Sequence, residues 1–402
     1  MKSALFSMIT ASAVLWFPIA GSSQPPTGTF PVIVVFREDV SLQQHQGSYH
    51  ADDRARANPE AWGYLDHGVA GVVQLFEARH GFRAEHVYSA SIRGFSARLT
   101  ARQIVDIESD LTVAYVEPDG TMSILAQILP WGIDRIDADT SSTRAGNGSG
   151  AVSNVNAYII DTGVDSSHGD LNVVGHVDFA SGPNRDCNGH GTHVAGTVAA
   201  QDNSIDVVGV SPWAPLTGVK VLGCGGTGLT SGIIKGVDWV TAHANKPAVA
   251  NMSLGGGASN ALDSAVKKSA DSGVFYAVSA GNSGADACNN SPARAGTHNG
   301  VATVAAINSG DKEPSWSNYG NCVDIWAPGV SILSTRKGGG TTTKSGTSMA
   351  SPHVAGTGAL YLSSHTGASA ATVESSLKAN AVSTGTMSKD GRAIKLDYAG
   401  NY

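Results

Sequence analysis

Asn156-Ala-Tyr-Ile-Ile-Asp161 is the stretch whose reading decides the fold: a near-continuous apolar run that ends on an acid. Such a run suits a strand buried on both faces better than one face of a helix. Runs of the same make recur at Gly218-Val-Lys-Val-Leu222, Ala248-Val-Ala-Asn-Met252, Val274-Phe-Tyr-Ala-Val278 and Val301-Ala-Thr-Val-Ala305. Between and beyond them the spacing predicts helices over 193–200, 230–245, 261–272 and 352–363. Strands alternating with helices imply an α/β architecture, a parallel β-sheet with helices on both faces. Ligands of such sheets collect beyond the carboxyl ends of the strands. Asp161, Ser253 and Asn282 each stand at or just past such an end. No internal repeat or low-complexity tract appears, and the chain is expected to stop soon after its last helix, without an appended module.

Toward the N-terminus the pattern changes. Lys2 and the apolar run 4–20, followed by Ala20-Gly-Ser22, read as a secretory signal over 1–22. The run is slightly short for a membrane span and holds Pro18, so no membrane association is expected after cleavage. A Ser/Pro/Gly linker leads to a small α+β unit over 31–119. There Val32-Ile-Val-Val-Phe36 is strand-like, 68–80 has helical spacing at Val69, Val72, Val73 and Phe76, and Ile92-Arg-Gly-Phe-Ser-Ala-Arg-Leu99 alternates. A helix over 101–108 and the strand Val113-Ala-Tyr-Val-Glu117 complete a βαββαβ-like order. The larger domain then occupies 126–402.

With 402 residues, 41% apolar and only 15% charged, the chain can bury a large core. A net charge of −7 gives no electrostatic reason to expect nucleic acid. Cys187, Cys224, Cys288 and Cys322 all lie in the later domain. An even number behind a secretory signal points to two disulfides, for which sequence alone permits three pairings. Beyond Ala126 every acid except Glu313 and Glu374 is Asp. Short Asp suits turns and caps, and also oxygen-ligated cations.

Three islands carry the chemistry: Asp161-Thr-Gly, His190-Gly-Thr-His193 and Gly346-Thr-Ser348-Met-Ala-Ser-Pro-His353. They supply acid, base and nucleophile in that chain order. A serine hydroxyl attacks at neutral pH only with a base to take its proton and an anion to orient that base. The order excludes chymotrypsin-type and α/β-hydrolase arrangements, and Gly-x-Ser-x-Gly is missing, which argues against an esterase of the latter type. Ser348 lies just before Pro352, suiting the first turn of a helix whose dipole and N–H groups would face the reaction centre. No Glu stands between His190 and His193, so a zinc pair is not expected. A single Asp-Thr-Gly cannot make an aspartic-protease dyad. Gly223-Cys-Gly-Gly-Thr-Gly228 spells a dinucleotide fingerprint, but the next strand ends in Asn251-Met-Ser253 rather than the acid a ribose requires. No organic cofactor is expected. The two Gly-rich edges, 225–228 and 253–257, suit backbone rails for an extended peptide.

These islands, with Pro130-Trp-Gly-Ile-Asp-Arg-Ile-Asp137, Val249-Ala-Asn-Met-Ser-Leu-Gly-Gly-Gly257 and Ser315-Trp-Ser-Asn-Tyr-Gly320, resemble the subtilisin family of secreted serine endopeptidases, within it the proteinase K and aqualysin branch. The resemblance covers about 126–398, and 31–119 resembles the family's ferredoxin-like inhibitory propeptide. It implies Ser348 as nucleophile, His190 as base, Asp161 as orienting acid, Asn282 as oxyanion donor, and structural roles for His193 and His353. It places Gly226, Ser253, Leu254 and Gly255 on one side of the substrate and Ser279 and Gly281 on the other. Relatives commonly carry Ala at position 279 and Tyr at 290, here Ser279 and Asn290, and 294–300 is longer than usual; pocket preference is therefore open. The resemblance selects the disulfides Cys187–Cys224 and Cys288–Cys322. It implies structural calcium at Asp324 with carbonyls near Asn299 and Val301, and a second site at Asp134 and Asp137. A monomer is expected, with protein or peptide substrates, the propeptide as intramolecular inhibitor, and an extracellular location. A catalytically silent relative that only binds peptides is the competing reading, and the intact triad argues against it.

Overall fold

The computed structural model describes residues 28–37, 67–120 and 127–402 of the chain, so the secretory signal over 1–22 lies outside it. Two compact units divide the chain at 123/124.

In the first unit β1 (Thr29–Phe36), α1 (His67–His80), β2 (Ala84–Tyr88), β3 (Gly94–Thr100), α2 (Ala101–Glu108) and β4 (Val113–Pro118) follow one another. The sheet order is β2-β3-β1-β4, antiparallel throughout. Alternation buries Val32, Val34 and Phe36 of β1 against Val69, Val73 and Phe76 of α1. α2 starts where the sequence predicts because Thr100 and Gln103 form a reciprocal capping box. Strand β2, which the βαββαβ order requires, has no residues assigned to it from sequence; its Ala-Glu-His-Val-Tyr is only half-buried and lacks a clean apolar face.

The second unit contains α3 (Trp131–Arg135), β5 (Asn156–Asp161), β6 (Val173–Asp178), α4 (His190–Ala199), β7 (Leu216–Lys220), α5 (Thr230–His243), β8 (Ala248–Met252), β9 (Gly256–Gly257) and α6 (Asn260–Asp271). It continues with β10 (Val274–Ser279), β11 (Asn290–Ser291), β12 (Val301–Ile307), β13 (Ile325–Pro328), β14 (Ile332–Thr335), β15 (Thr341–Lys344), α7 (Thr347–Ser364), α8 (Ala370–Asn380), β16 (Val382–Met387) and β17 (Ala393–Leu396). Nine strands form one sheet in the order β16-β17-β13-β12-β10-β8-β5-β7-β6. Pairing is parallel from β6 to β17, and only β16 runs antiparallel.

Strand periodicity sorts the core into two layers. Ala157 and Ile159 of β5 face a cluster with Val194 and Val198 of α4 and Val354 of α7. Tyr158 and Ile160 face the opposite cluster, with Val237 of α5 and Val266 of α6. Because β5 has β7 on one side and β8 on the other, it lies where the strand order reverses. There the chain diverges to both sides and leaves a crevice at the carboxyl ends. Asp161 ends β5, Ser253 follows β8 and Asn282 follows β10, so all three meet at that crevice.

Two expectations are corrected. The helix expected to begin at Pro352 begins at Thr347, and Pro352 is its sixth residue. An interior proline leaves the carbonyl four residues earlier without its helical donor. That carbonyl belongs to Ser348, and the Ser253 hydroxyl donates to it at 2.7 Å, which relieves the deficit. The chain also continues past this helix into α8, β16 and β17. Val-Ser-Thr-Gly-Thr-Met of β16 is a half-exposed edge strand, too polar to read as buried. The cysteines pair as Cys187–Cys224 and Cys288–Cys322, as the resemblance selects.

Candidate active site

Asp161 is fully buried at the end of β5, and its Oδ1 accepts the Nδ1–H of His190 at 2.7 Å. The Thr162 N–H donates to the same oxygen at 2.7 Å. The Asp161 charge raises the pKa of His190; burial opposes the shift and the hydrogen bond adds to it. This pairing leaves Nε2 as the free, basic nitrogen of the neutral ring.

His190 is the first residue of α4, and the turn before it is organised by a carboxylate that motif reading left without a role. Asp186 Oδ1 accepts from the Thr162 hydroxyl and from the N–H groups of Asn188 and Gly189; its Oδ2 accepts the Thr192 N–H and hydroxyl. The Thr162 hydroxyl in turn accepts the Gly191 N–H at 2.9 Å. One buried anion thus locks the acid-bearing loop to the base-bearing helix. The only hint in the sequence is its place four residues before His190. Lys220, fully buried in β7, donates to the carbonyls of Thr162 and Leu222 and braces the same loop from behind.

The neighbouring histidines have structural partners. Burial lowers the pKa of His193 to about 4, and its Nε2–H donates to the Ile332 carbonyl at 3.0 Å. Burial likewise lowers His353 to about 4, and its Nδ1–H donates to Met349 O at 2.9 Å.

Ser348 is the second residue of α7, where an N–H has no acceptor within the helix. Its hydroxyl donates to the Ser253 carbonyl at 3.3 Å rather than to His190. His190 and Ser348 line one cleft of about 430 Å³, together with Gly226, Leu254 and Gly255. A buried chain supports the serine from below: Ser351 donates to Asn251 at 2.7 Å, Asn251 to the Ser253 hydroxyl at 2.8 Å, and Ser253 to the Ser348 carbonyl. Ser253, expected beside the substrate, therefore also supports the nucleophile.

The amide of Asn282 is oriented by its oxygen. Oδ1 accepts the Thr347 N–H at 2.9 Å and the Thr347 hydroxyl at 2.8 Å, so Nδ2 is the end turned away from the helix. Thr347 is a second residue that motif reading left without a role. Gly346 has a φ of 155°, and a Cβ there would lie 3.4 Å from Asn282 Nδ2 and 3.6 Å from Ser348 N. Two N–H donors thus lie beside the space a side chain at 346 would occupy, and the positive φ there favours glycine. A pocket of about 370 Å³ adjoins it, lined by Leu254, Ser279, Gly281, Asn290 and Ser291 among others. Asn290 donates its amide to Gly256 O at 3.1 Å, and Ser279 its hydroxyl to Leu254 O at 3.4 Å. Gly225, Gly226 and Gly255 to Gly257 are exposed along the cleft rim.

The expected cation ligands fare differently. Asp324 Oδ1 is held by the Lys378 ammonium at 2.9 Å, and Oδ2 accepts the Thr303 N–H at 2.9 Å. Val301 opens β12 opposite Tyr276, and its N–H donates to His298 O. Calcium seeks about six to eight oxygens. Here an ammonium and an amide N–H meet the carboxylate, so the residues do not fit the ion expected at Asp324 and Val301. Beside Asp134 and Asp137, burial first, then the Asp134 charge and more weakly the Asp137 charge, raise the pKa of Asp139, while the N–H groups of Asp139 and Thr140 lower it. Among the described residues no three His, Cys, Asp or Glu side chains converge on a metal position.

A model of the subtilase family matches residues 153–397, and a model of peptidase inhibitor I9 matches 31–125. The alkaline serine exoprotease A of Vibrio alginolyticus is 45% identical over 345 residues, 81% of this chain and 62% of that protein. The chain thus spans less than two thirds of that relative's length. The extracellular serine proteinase of Thermus sp. (strain Rt41A) is 43% identical over 388 residues, 93% of this chain and 90% of the relative. Among solved structures, a cold adapted subtilisin-like serine proteinase superposes with a TM-score of 0.60 at 44% identity, covering 68% of this chain and 98% of that one.

Proposed function

The chain belongs to the subtilase family, and from that premise we propose that it is a secreted serine endopeptidase that releases itself from a precursor. In this reading Ser348 attacks the scissile carbonyl while His190 takes the hydroxyl proton. His190 returns that proton to the leaving amine, and a water repeats the sequence on the acyl-enzyme. Asp161 holds the ring in the tautomer that presents Nε2 and stabilises the imidazolium. Asn282 Nδ2 and the Ser348 N–H hold the oxyanion. The observation that carries the proposal is the pair of donors converging over Gly346, 3.4 Å and 3.6 Å from the position of its absent Cβ. In this reading the hydroxyl of Ser348 leaves Ser253 O and turns to the base, which lines the same cleft.

Substrate would lie extended between the edges at 225–228 and 253–257, with the residue before the cut in the pocket of Ser279, Gly281 and Asn290. An apolar preference there agrees with Ile124-Leu125, just before the proposed maturation bond Leu125–Ala126, which is outside the described residues. Residues 1–22 act as secretory signal, 31–119 as intramolecular inhibitor and 126–402 as a monomeric enzyme. Calcium belongs to this reading as a structural ion at Asp134 and Asp137, whose carboxylates are ligands of the oxygen type it takes.

An active-site-directed fluorophosphonate tests the proposal. The secreted protein labels at Ser348 and begins near Ala126, whereas the Ser348→Ala variant neither labels nor loses its N-terminal unit in a protease-deficient host. Equal processing of both chains, or no labelling of the native one, overturns it.

A further inference from the structure

One face of α8 closes over the turn between His298 and Thr303, three contacts spaced at helical intervals. Ala370 lies against Gly300, where an added Cβ would come within 2.9 Å of the alanine Cβ. One turn on, Glu374 accepts the Gly300 N–H with one oxygen and the Lys378 ammonium, at 2.9 Å, with the other. A further turn on, the same ammonium reaches Asp324 at 2.9 Å. The side chains of Asp324 and Glu374 are 8% and 5% exposed, that of Lys378 43%. Two nearly buried carboxylates on different elements, β12–β13 connection and helix, are therefore bridged by one cation that enters from the surface along its own alkyl stem.

Without a positive charge between them, the two carboxylates would repel each other in a poorly hydrated place. A bound divalent ion is one remedy, and the family resemblance points to it. The geometry points to another: Lys378 is a tethered counter-ion that takes over at Asp324 the neutralising role of a calcium ion, so that this part of the fold is independent of free metal. The Asp324 oxygen not facing Lys378 accepts the Thr303 N–H, which takes up part of its acceptor capacity. Glu374, the ammonium's other partner, has its second oxygen on Gly300 N. The four groups satisfy one another, and a metal could enter only by displacing the lysine.

Thermal unfolding of the full chain carrying Ser348→Ala, so that no self-digestion intrudes, tests this in 5 mM calcium chloride and in excess EDTA. Any calcium-dependent rise in Tm contributed elsewhere should be the same with Asp324 intact and in Asp324→Asn. Lys378→Met should lower Tm in EDTA, on the order of 5 °C, while Lys378→Arg, which keeps the charge, restores most of it. A calcium-dependent rise that Asp324→Asn abolishes would show that Asp324 holds the metal and overturn the inference. So would a Lys378→Met chain that unfolds in EDTA at the same temperature as its parent.

Discussion

Thr347→Val removes one hydroxyl and little volume; besides its contact with Asn282 that hydroxyl accepts the Gly281 N–H at 3.1 Å. The hydroxyl is one of two donors that fix Asn282 Oδ1, at 2.8 Å; the Thr347 N–H, at 2.9 Å, is the other and survives the change. A neutral hydrogen bond is worth a net of about 0.5–1.5 kcal/mol. Losing it should let the amide swing away from the oxyanion position for part of the time. If the whole of that energy appears in the transition state, kcat falls by roughly 2- to 13-fold. KM should hardly move, because the ground-state carbonyl needs no oxyanion donor. Asn282→Leu removes the donor itself and belongs on the subtilisin scale of about 10²–10³ in kcat. The decisive comparison is the double variant. If Thr347 acts only by aiming Asn282, adding Thr347→Val to Asn282→Leu costs nothing more in kcat. Steady-state kinetics on a peptide anilide measure all three variants, with Thr347→Ser expected to restore the native rate. A loss lying wholly in KM, or the same fold-loss in both backgrounds, refutes the reasoning.

The acid limb of kcat/KM should lie above the ordinary histidine value of 6.5, since the Asp161 charge raises His190 and only the neutral ring is a base. The stabilisation from the charged pair has the opposite sense: it is present below 6.5 and fades as pH rises through the raised value, so Asp161→Asn should flatten stability against pH in that window and move the kinetic limb to lower pH. Reduction should loosen the fold, because the disulfides close loops of 37 and 34 positions, each worth about 3–4 kcal/mol in the chain-entropy model; an unchanged unfolding temperature in dithiothreitol would contradict this. Chelator should lower Tm and hasten self-digestion while early activity at low temperature stays intact. Asp134→Asn with Asp137→Asn should remove that response, and immediate loss of activity with the fold intact would make the metal catalytic.

The strands bearing the site were legible because they are buried on both faces: Ala248–Met252 has the bounds its sequence suggests. The triad was legible because each member sits in a short frame of Gly and Thr. Residues acting through others were not. Asp186 and Thr347 look like ordinary polar neighbours until their partners, brought from other elements, are in place. Lys220 reads as a fault in an apolar strand, and only the converging carbonyls of Thr162 and Leu222 give its ammonium a reason to be there. At Asp324 the motif and the structure point to different partners. Its motif suggests a metal ligand, but its partner Lys378 lies 54 residues further on, in a helix whose polar sequence gave no sign of it.

The place of β5 between β8 and β7 in the large sheet bears on how the protein is made. Its neighbours β7 and β8 are later in the chain, so Asp161 cannot be enclosed until about residue 252 has been synthesised. Ser348 follows 348 − 252 = 96 residues after that, at the start of α7. A ribosome working from the N-terminus therefore delivers acid and base long before anything able to cut. A polypeptide interrupted anywhere in that interval carries Asp161 and His190 and no Ser348. Ser348 is thus added only long after the N-terminal unit has been made.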